Sequence, residues 1–159
     1  MGASGQATCT SSTAAAAKRD DAVRSVSVFL DGELLAASND GALWSVLGDV
    51  LVRQLDGHAS HVDAISFSPD GQRLLSCGGD TVARVWRVAT GEEVRHPEGH
   101  TWWIWAVAFA PDGVHPATAG RDQAVFFWST ASWRATHSLR FGSSVTGVLF
   151  SPDSQSLVV

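Results

Sequence analysis

No tyrosine occurs in this chain, methionine occurs once and cysteine twice. Cys9 and Cys77 cannot build a disulfide framework or a four-thiolate metal centre. A reducing compartment, the cytoplasm or nucleus, is therefore the expected setting. Charge is also sparse, at 17% of residues against about a quarter in an average soluble chain. Basic charge is the scarcer sign: 11 Lys and Arg stand against 16 Asp and Glu, a formal net charge of −5. That balance argues against a nucleic-acid backbone or an anionic membrane as the main partner. Long apolar runs are missing too. The longest, residues 102–111, has about half the length of a membrane-spanning helix.

What is present is aromatic and turn-forming. Seven Trp, seven Phe, 15 Gly and five Pro are scattered through 159 residues that are 45% hydrophobic. That is enough to build one real core. Short apolar runs separated by Gly and Pro predict an all-β chain with frequent turns.

Residues 1–20 read differently. Ser, Thr, Ala and Gly dominate, with almost no large apolar side chain. Such a segment buries too little surface to offset the entropy of ordering it, so a disordered tail is expected. Gln6 stands where a myristoylation signal needs Ser or Thr. No apolar stretch serves as a secretory signal.

From residue 21 onward the chain repeats itself. Trp44, Trp86 and Trp128 are spaced 42 and 42, and Phe67, Phe109 and Phe150 are spaced 42 and 41. A turn follows each phenylalanine: Ser68-Pro69-Asp70-Gly71, Ala110-Pro111-Asp112-Gly113, Ser151-Pro152-Asp153-Ser154, and Leu30-Asp31-Gly32 after Phe29. Proline sets φ at the first corner, and Asp then Gly suit the next. Strands are expected at 62–67, 73–77 and 81–86, with matches at 105–109, 117–119 and 124–128. Weaker fourth strands are expected at 93–95 and 135–139. The core should include Phe67, Leu75, Val85, Trp86, Val107, Phe109, Phe127 and Trp128. Four short antiparallel strands per 42 residues make one propeller blade.

Gly57-His58 and Gly99-His100 open the second and third repeats, each His 28 residues before its Trp. With these marks in register the chain resembles the WD-repeat (WD40) family of β-propellers over residues 22–159. The resemblance implies repeats at about 22–56, 57–98, 99–140 and 141–159. The naming dipeptide is not intact, since Ser45, Arg87 and Ser129 follow the three tryptophans. The first repeat lacks Gly-His, and its Asp40 lies four residues before Trp44 rather than six. A two-residue deletion keeps strand facing, so a blade is still expected. The fourth repeat has Phe141-Gly142 in place of Gly-His and ends inside its second strand.

Each good repeat holds a His, a hydroxyl and an Asp: His58, Ser76, Asp80 and His100, Thr118, Asp122. Taken alone, these sets have the composition of a hydrolase triad. Neither hydroxyl sits in a G-x-S-x-G elbow. The resemblance adds Trp86 and Trp128 and makes each set a structural tetrad, indole to hydroxyl to imidazole to carboxylate. No catalytic residue is expected. His58, His61 and Asp63 have the types of a metal site, but His58 is committed to its tetrad, so no metal and no cofactor is expected. Cys77 aligns with Ala119 and reads as a small core residue.

The resemblance implies a non-catalytic scaffold that binds a protein or peptide on its top rim. Carried over by position, that rim offers His61, Asp63 and Gly79, then Trp103, Trp105 and Arg121, with Ser25, Ser144 and Thr146 beside them. Trp103 and Trp105 align with polar His61 and Asp63, so exposure is expected; two Trp and an Arg have the composition of a binding hot spot. Packing of Trp103 and Trp105 against a neighbouring blade's loop is the competing expectation. The alternative function is an accessory or substrate-adaptor domain of an enzyme complex such as a ubiquitin ligase. The family's ligase-docking box, Trp-Asp-x-Arg, is not met by Trp86-Arg87-Val88-Ala89 or Trp128-Ser129-Thr130-Ala131.

About three and a half repeats form an open arc, since rings close at about four to eight blades. The chain is expected to be a fragment of a longer propeller. Self-association of two arcs, or completion by a separate chain, are the other ways to cover the open faces.

Overall fold

In the computed structural model, residues 24–28, 33–37, 43–47 and 50–159 are described. The tail expected at 1–20, Cys9, the turn at 30–32 and Asp40 lie outside the described residues.

The described chain is all β, in consecutive antiparallel sheets. The first sheet is β1 (Ser25–Val28), β2 (Glu33–Ala37), β3 (Leu43–Leu47) and β4 (Val50–Leu55). The second is β5 (Val62–Phe67), β6 (Arg73–Gly78), β7 (Ala83–Arg87) and β8 (Glu93–Arg95). The third is β9 (Ile104–Phe109), β10 (Pro116–Gly120), β11 (Ala124–Trp128) and β12 (Ala135–Arg140). A two-stranded fourth pairs β13 (Leu149–Phe150) with β14 (Leu157–Val158). The three full sheets are blades, and they form an open arc with the start of a fourth. The shortened first repeat does make a whole four-stranded blade, because β2 and β3 still pair in register from Glu33 opposite Leu47 to Ala37 opposite Leu43.

Local chemistry explains the tight turns between the first two strands of blades 2 and 3 and of the fourth repeat. Gly71 (φ 67°) and Gly113 (φ 71°) take the left-handed corner. The Ser68 hydroxyl and the Gln72 N–H both donate to the Asp70 carboxylate, at 2.6 and 3.0 Å. Ser154 occupies the same corner in the fourth repeat with φ 59°.

The second strands of blades 2 and 3, β6 and β10, are buried on both faces, as stacked blades require. On β6, Leu74 packs with Val62, Ile65 and Trp86. The next residue, Leu75, points the other way, to Val85 and across the seam to Ile104, Val107, Phe109, Trp128 and Trp133 of blade 3. Blade 3 presents Ala106, Ala117 and Val125 to Val145 and Val148 of the fourth repeat. Six of the eight expected core residues are buried. Phe67 and Phe127 are only partly buried, each packed against the edge of a cluster.

Candidate functional site

Gly-His places an imidazole at the same end of blades 2 and 3. His58 Nδ1 lies 2.9 Å from Asp80 Oδ2, and His58 Nε2 lies 2.7 Å from Ser76 Oγ. The Trp86 indole N–H donates to Ser76 Oγ at 2.8 Å. Blade 3 repeats the arrangement: His100 Nδ1 to Asp122 at 2.9 Å, His100 Nε2 to Thr118 Oγ1 at 2.7 Å, and Trp128 N–H to Thr118 at 2.9 Å. One assignment satisfies every atom. Indole donates to hydroxyl, hydroxyl to Nε2, and Nδ1–H to carboxylate. The Asp also accepts the N–H of Ala59 or Thr101, fixing the loop that enters each blade.

Burial sets the charge states. His100 is pulled below the ordinary imidazole range by burial, with the Asp122 hydrogen bond opposing, so its ring is neutral near pH 7. Burial raises the Asp80 carboxyl. The hydrogen bond and charge of His58, with the N–H groups of Ala59 and Val82, outweigh that and leave it below the usual carboxylate range. Ser76 and Thr118 have no exposed surface. Cys77 is fully buried, and burial with nearby Asp63 and Asp80 pushes its thiol well above the ordinary range.

The rim lies beside these sets, at the same end of the blades. Arg121 extends its guanidinium over the Trp102 ring at 5.0 Å and the Trp103 ring at 5.1 Å. Both tryptophans face solvent, 49% and 38% exposed. Across the seam, the His61 ring meets Trp103 edge-on, centroids 5.8 Å apart. Trp103 is therefore both exposed and packed on the neighbouring blade's loop. Trp105 is half-buried, which corrects the expectation of an open position. Asp63 departs from it further: its side chain is 11% exposed, held by Arg24 at 2.9 Å and His61 at 3.1 Å. Ser25 is also engaged, accepting the Ile65 N–H across the seam at 3.3 Å. Ser144 and Thr146 are exposed, and Gly79 lies against the His61 ring.

Two features escaped the sequence. One is Trp102, which no carried-over rim position selects and which completes the cation–π stack. Gly78 and Gly120, 42 residues apart, are the other. A Cβ on Gly78 would stand 1.9 Å from the His61 carbonyl, and one on Gly120 2.3 Å from the Trp103 carbonyl. Glycine at both positions lets Gly79 N–H and Arg121 N–H bond those carbonyls, at 3.0 and 2.8 Å. The repeat spacing was the signal.

A model of the WD40 family, described as "WD domain, G-beta repeat", matches residues 49–87 and 91–129. The chain belongs to the WD-repeat family. The WD40 β-propeller domain of Doa1 superposes with a TM-score of 0.78 over 86% of this chain and 47% of that one, at 21% identity, a likeness of fold. Among curated relatives, nuclear distribution protein PAC1 of Arthroderma otae is 43% identical over 58 residues, covering 35% of this chain and 13% of the relative. Protein groucho of Drosophila melanogaster is 42% identical over 45 residues, 28% of this chain and 6% of groucho. The WDS homolog of Arabidopsis thaliana is 39% identical over 62 residues, 36% and 12%. The matches thus span a small part of each curated relative. Among the described residues, no helix is long and apolar enough to cross a membrane.

Proposed function

We propose that this WD-repeat chain is a non-catalytic scaffold that takes a protein or peptide partner on its rim, around Trp102, Trp103 and Arg121, with Trp105, His61 and Asp63 as support. The observation that carries this reading is the Arg121 guanidinium stacked over two solvent-facing indoles. Tryptophan and arginine dominate binding hot spots because they bury a large area and lose little freedom when already held in place. Asp63 and His61 hold the neighbouring loop, so they shape the rim from behind.

The His, hydroxyl and Asp sets are structural in this reading. A nucleophile must reach substrate, whereas Ser76 and Thr118 are sealed from solvent and accept an indole N–H. No cofactor, metal or nucleic acid enters the proposed function, and no membrane. A lone buried thiol such as Cys77 suits a reducing compartment, the cytoplasm or nucleus.

The test is proximity labelling in cells with the wild type, Trp103→Ala and Arg121→Ala. Partners that drop at least about tenfold in both variants, with melting temperatures within about 2 °C of wild type, support the rim. An unchanged partner set overturns it.

A further inference from the structure

A groove of about 670 Å³ lies between blades 2 and 3, at the end of the blades opposite the rim. Arg73, which lines it, and Gly78, beside the rim, are the two ends of β6, roughly 17 Å apart at strand rise. The lining carries three arginines, Arg73, Arg87 and Arg95, and no carboxylate. That is three of the chain's 11 basic residues in a protein of net charge −5. The acids nearby stand outside the lining. Glu92 pairs with Arg87 at 2.9 Å, with both side chains more than half exposed, and Asp70 feels the charge of Arg73. Exposed ion pairs of this kind contribute little and exchange partners readily.

The groove is built on fixed parts. Arg73 donates to the Thr130 carbonyl at 3.2 Å and lies 5.8 Å over the Trp133 ring. Trp133 itself is buried, adopts φ 54° and meets Phe109 edge-on. Blade 3 thus holds in place a guanidinium that blade 2 supplies. Arg95 is exposed, and among the described residues its side chain bonds only the carbonyl of Val94. Guanidinium groups pair with carboxylates in bidentate geometry, and Val94 adds an apolar side chain to the lining.

We propose that this groove is a second binding site, distinct from the rim, for an acidic peptide segment of a partner protein. Three arginines spread along an open groove of this volume outsize a single small anion and suit a chain bearing several carboxylates. The charge is complementary to an acidic segment. A nucleic-acid strand fits poorly, because Trp133 is the one aromatic side chain in the lining and it is 8% exposed beneath Arg73. No base can stack there.

The experiment uses the full 159-residue chain and a fluorescein-labelled octapeptide of alternating glutamate and leucine, read by anisotropy. Arg87→Glu combined with Arg95→Glu should weaken binding at least about tenfold. Ala131→Glu, which adds an acid to the groove and removes nothing, should weaken it in the same direction. Arg121→Ala should leave it unchanged, which separates this site from the rim. Absence of binding, loss in Arg121→Ala alone, equal binding of a lysine–leucine octapeptide, or displacement by a single-stranded RNA decamer would each overturn the proposal.

Discussion

Trp86 donates its indole N–H to Ser76 Oγ across 2.8 Å, with neither side chain open to solvent. The bond joins the third strand of blade 2 to the second, and through His58 to the loop that enters the blade. Thr118 serves Trp128 and His100 identically one blade on.

A shape-conserving change isolates this hydroxyl. Thr118→Val keeps the outline and strands the Trp128 N–H and His100 Nε2 in a dry site. It should destabilise by about 1–3 kcal/mol. Thr118→Ser keeps the hydroxyl and should cost less, about 1 kcal/mol for the lost methyl. Urea unfolding midpoints give both numbers, and equal stability of the Val variant and wild type contradicts a structural role.

The glycine pair makes a sharper test of the rim's backbone. Gly120→Ala would drive a Cβ into the Trp103 carbonyl, a backbone atom that cannot step aside as a side-chain tip can. The expected loss is about 1–3 kcal/mol in thermal unfolding. Gly142→Ala meets nothing within 4 Å and should stay within about 0.5 kcal/mol of wild type.

Stability should fall with acid in two stages. His100 has a lower pKa folded than unfolded, where the ordinary value is 6.5. The unfolded chain therefore takes up the proton first. This stabilisation is complete above that value and is lost as pH falls through the folded pKa. Asp80, Asp70 and Asp112 are lowered from 3.8. Their contribution is present above that value and disappears only at more acidic pH. Urea midpoints should begin to decline as pH falls through about 6.5, then fall again below about pH 4. A flat upper stage would mean that burial does not govern His100.

Much of the architecture was legible in the sequence because its signals are local and repeated. The Trp spacing of 42, the Pro-Asp-Gly corners and the alternating runs gave β5, β8 and β11 to the residue, and the other expected strand ends of blades 2 and 3 within two residues. The tetrads were legible only through the family resemblance, which joins Trp86 and Trp128 to the two His, hydroxyl and Asp sets; the repeat by itself showed that the sets recur at equal offsets from Gly57-His58 and Gly99-His100.

Exposure and seams were not legible. Asp63 and Trp105 occupy matching positions where the β5–β6 and β9–β10 ladders slip by one residue, and a slip redirects a side chain. Asp63 is then captured by Arg24 from the neighbouring blade, 39 residues away. Trp102 joins the rim because Arg121, brought alongside by the turn after β10, reaches both indoles. The arginine groove arises the same way, from Arg73 of one blade lying over Trp133 of the next. By itself the sequence determined the blades and their strands, since these follow from short-range pattern, and the family resemblance supplied the hydrogen-bond sets inside them. Only the tertiary structure decided what faces water at the seams, because stacking brings together residues that no local pattern connects.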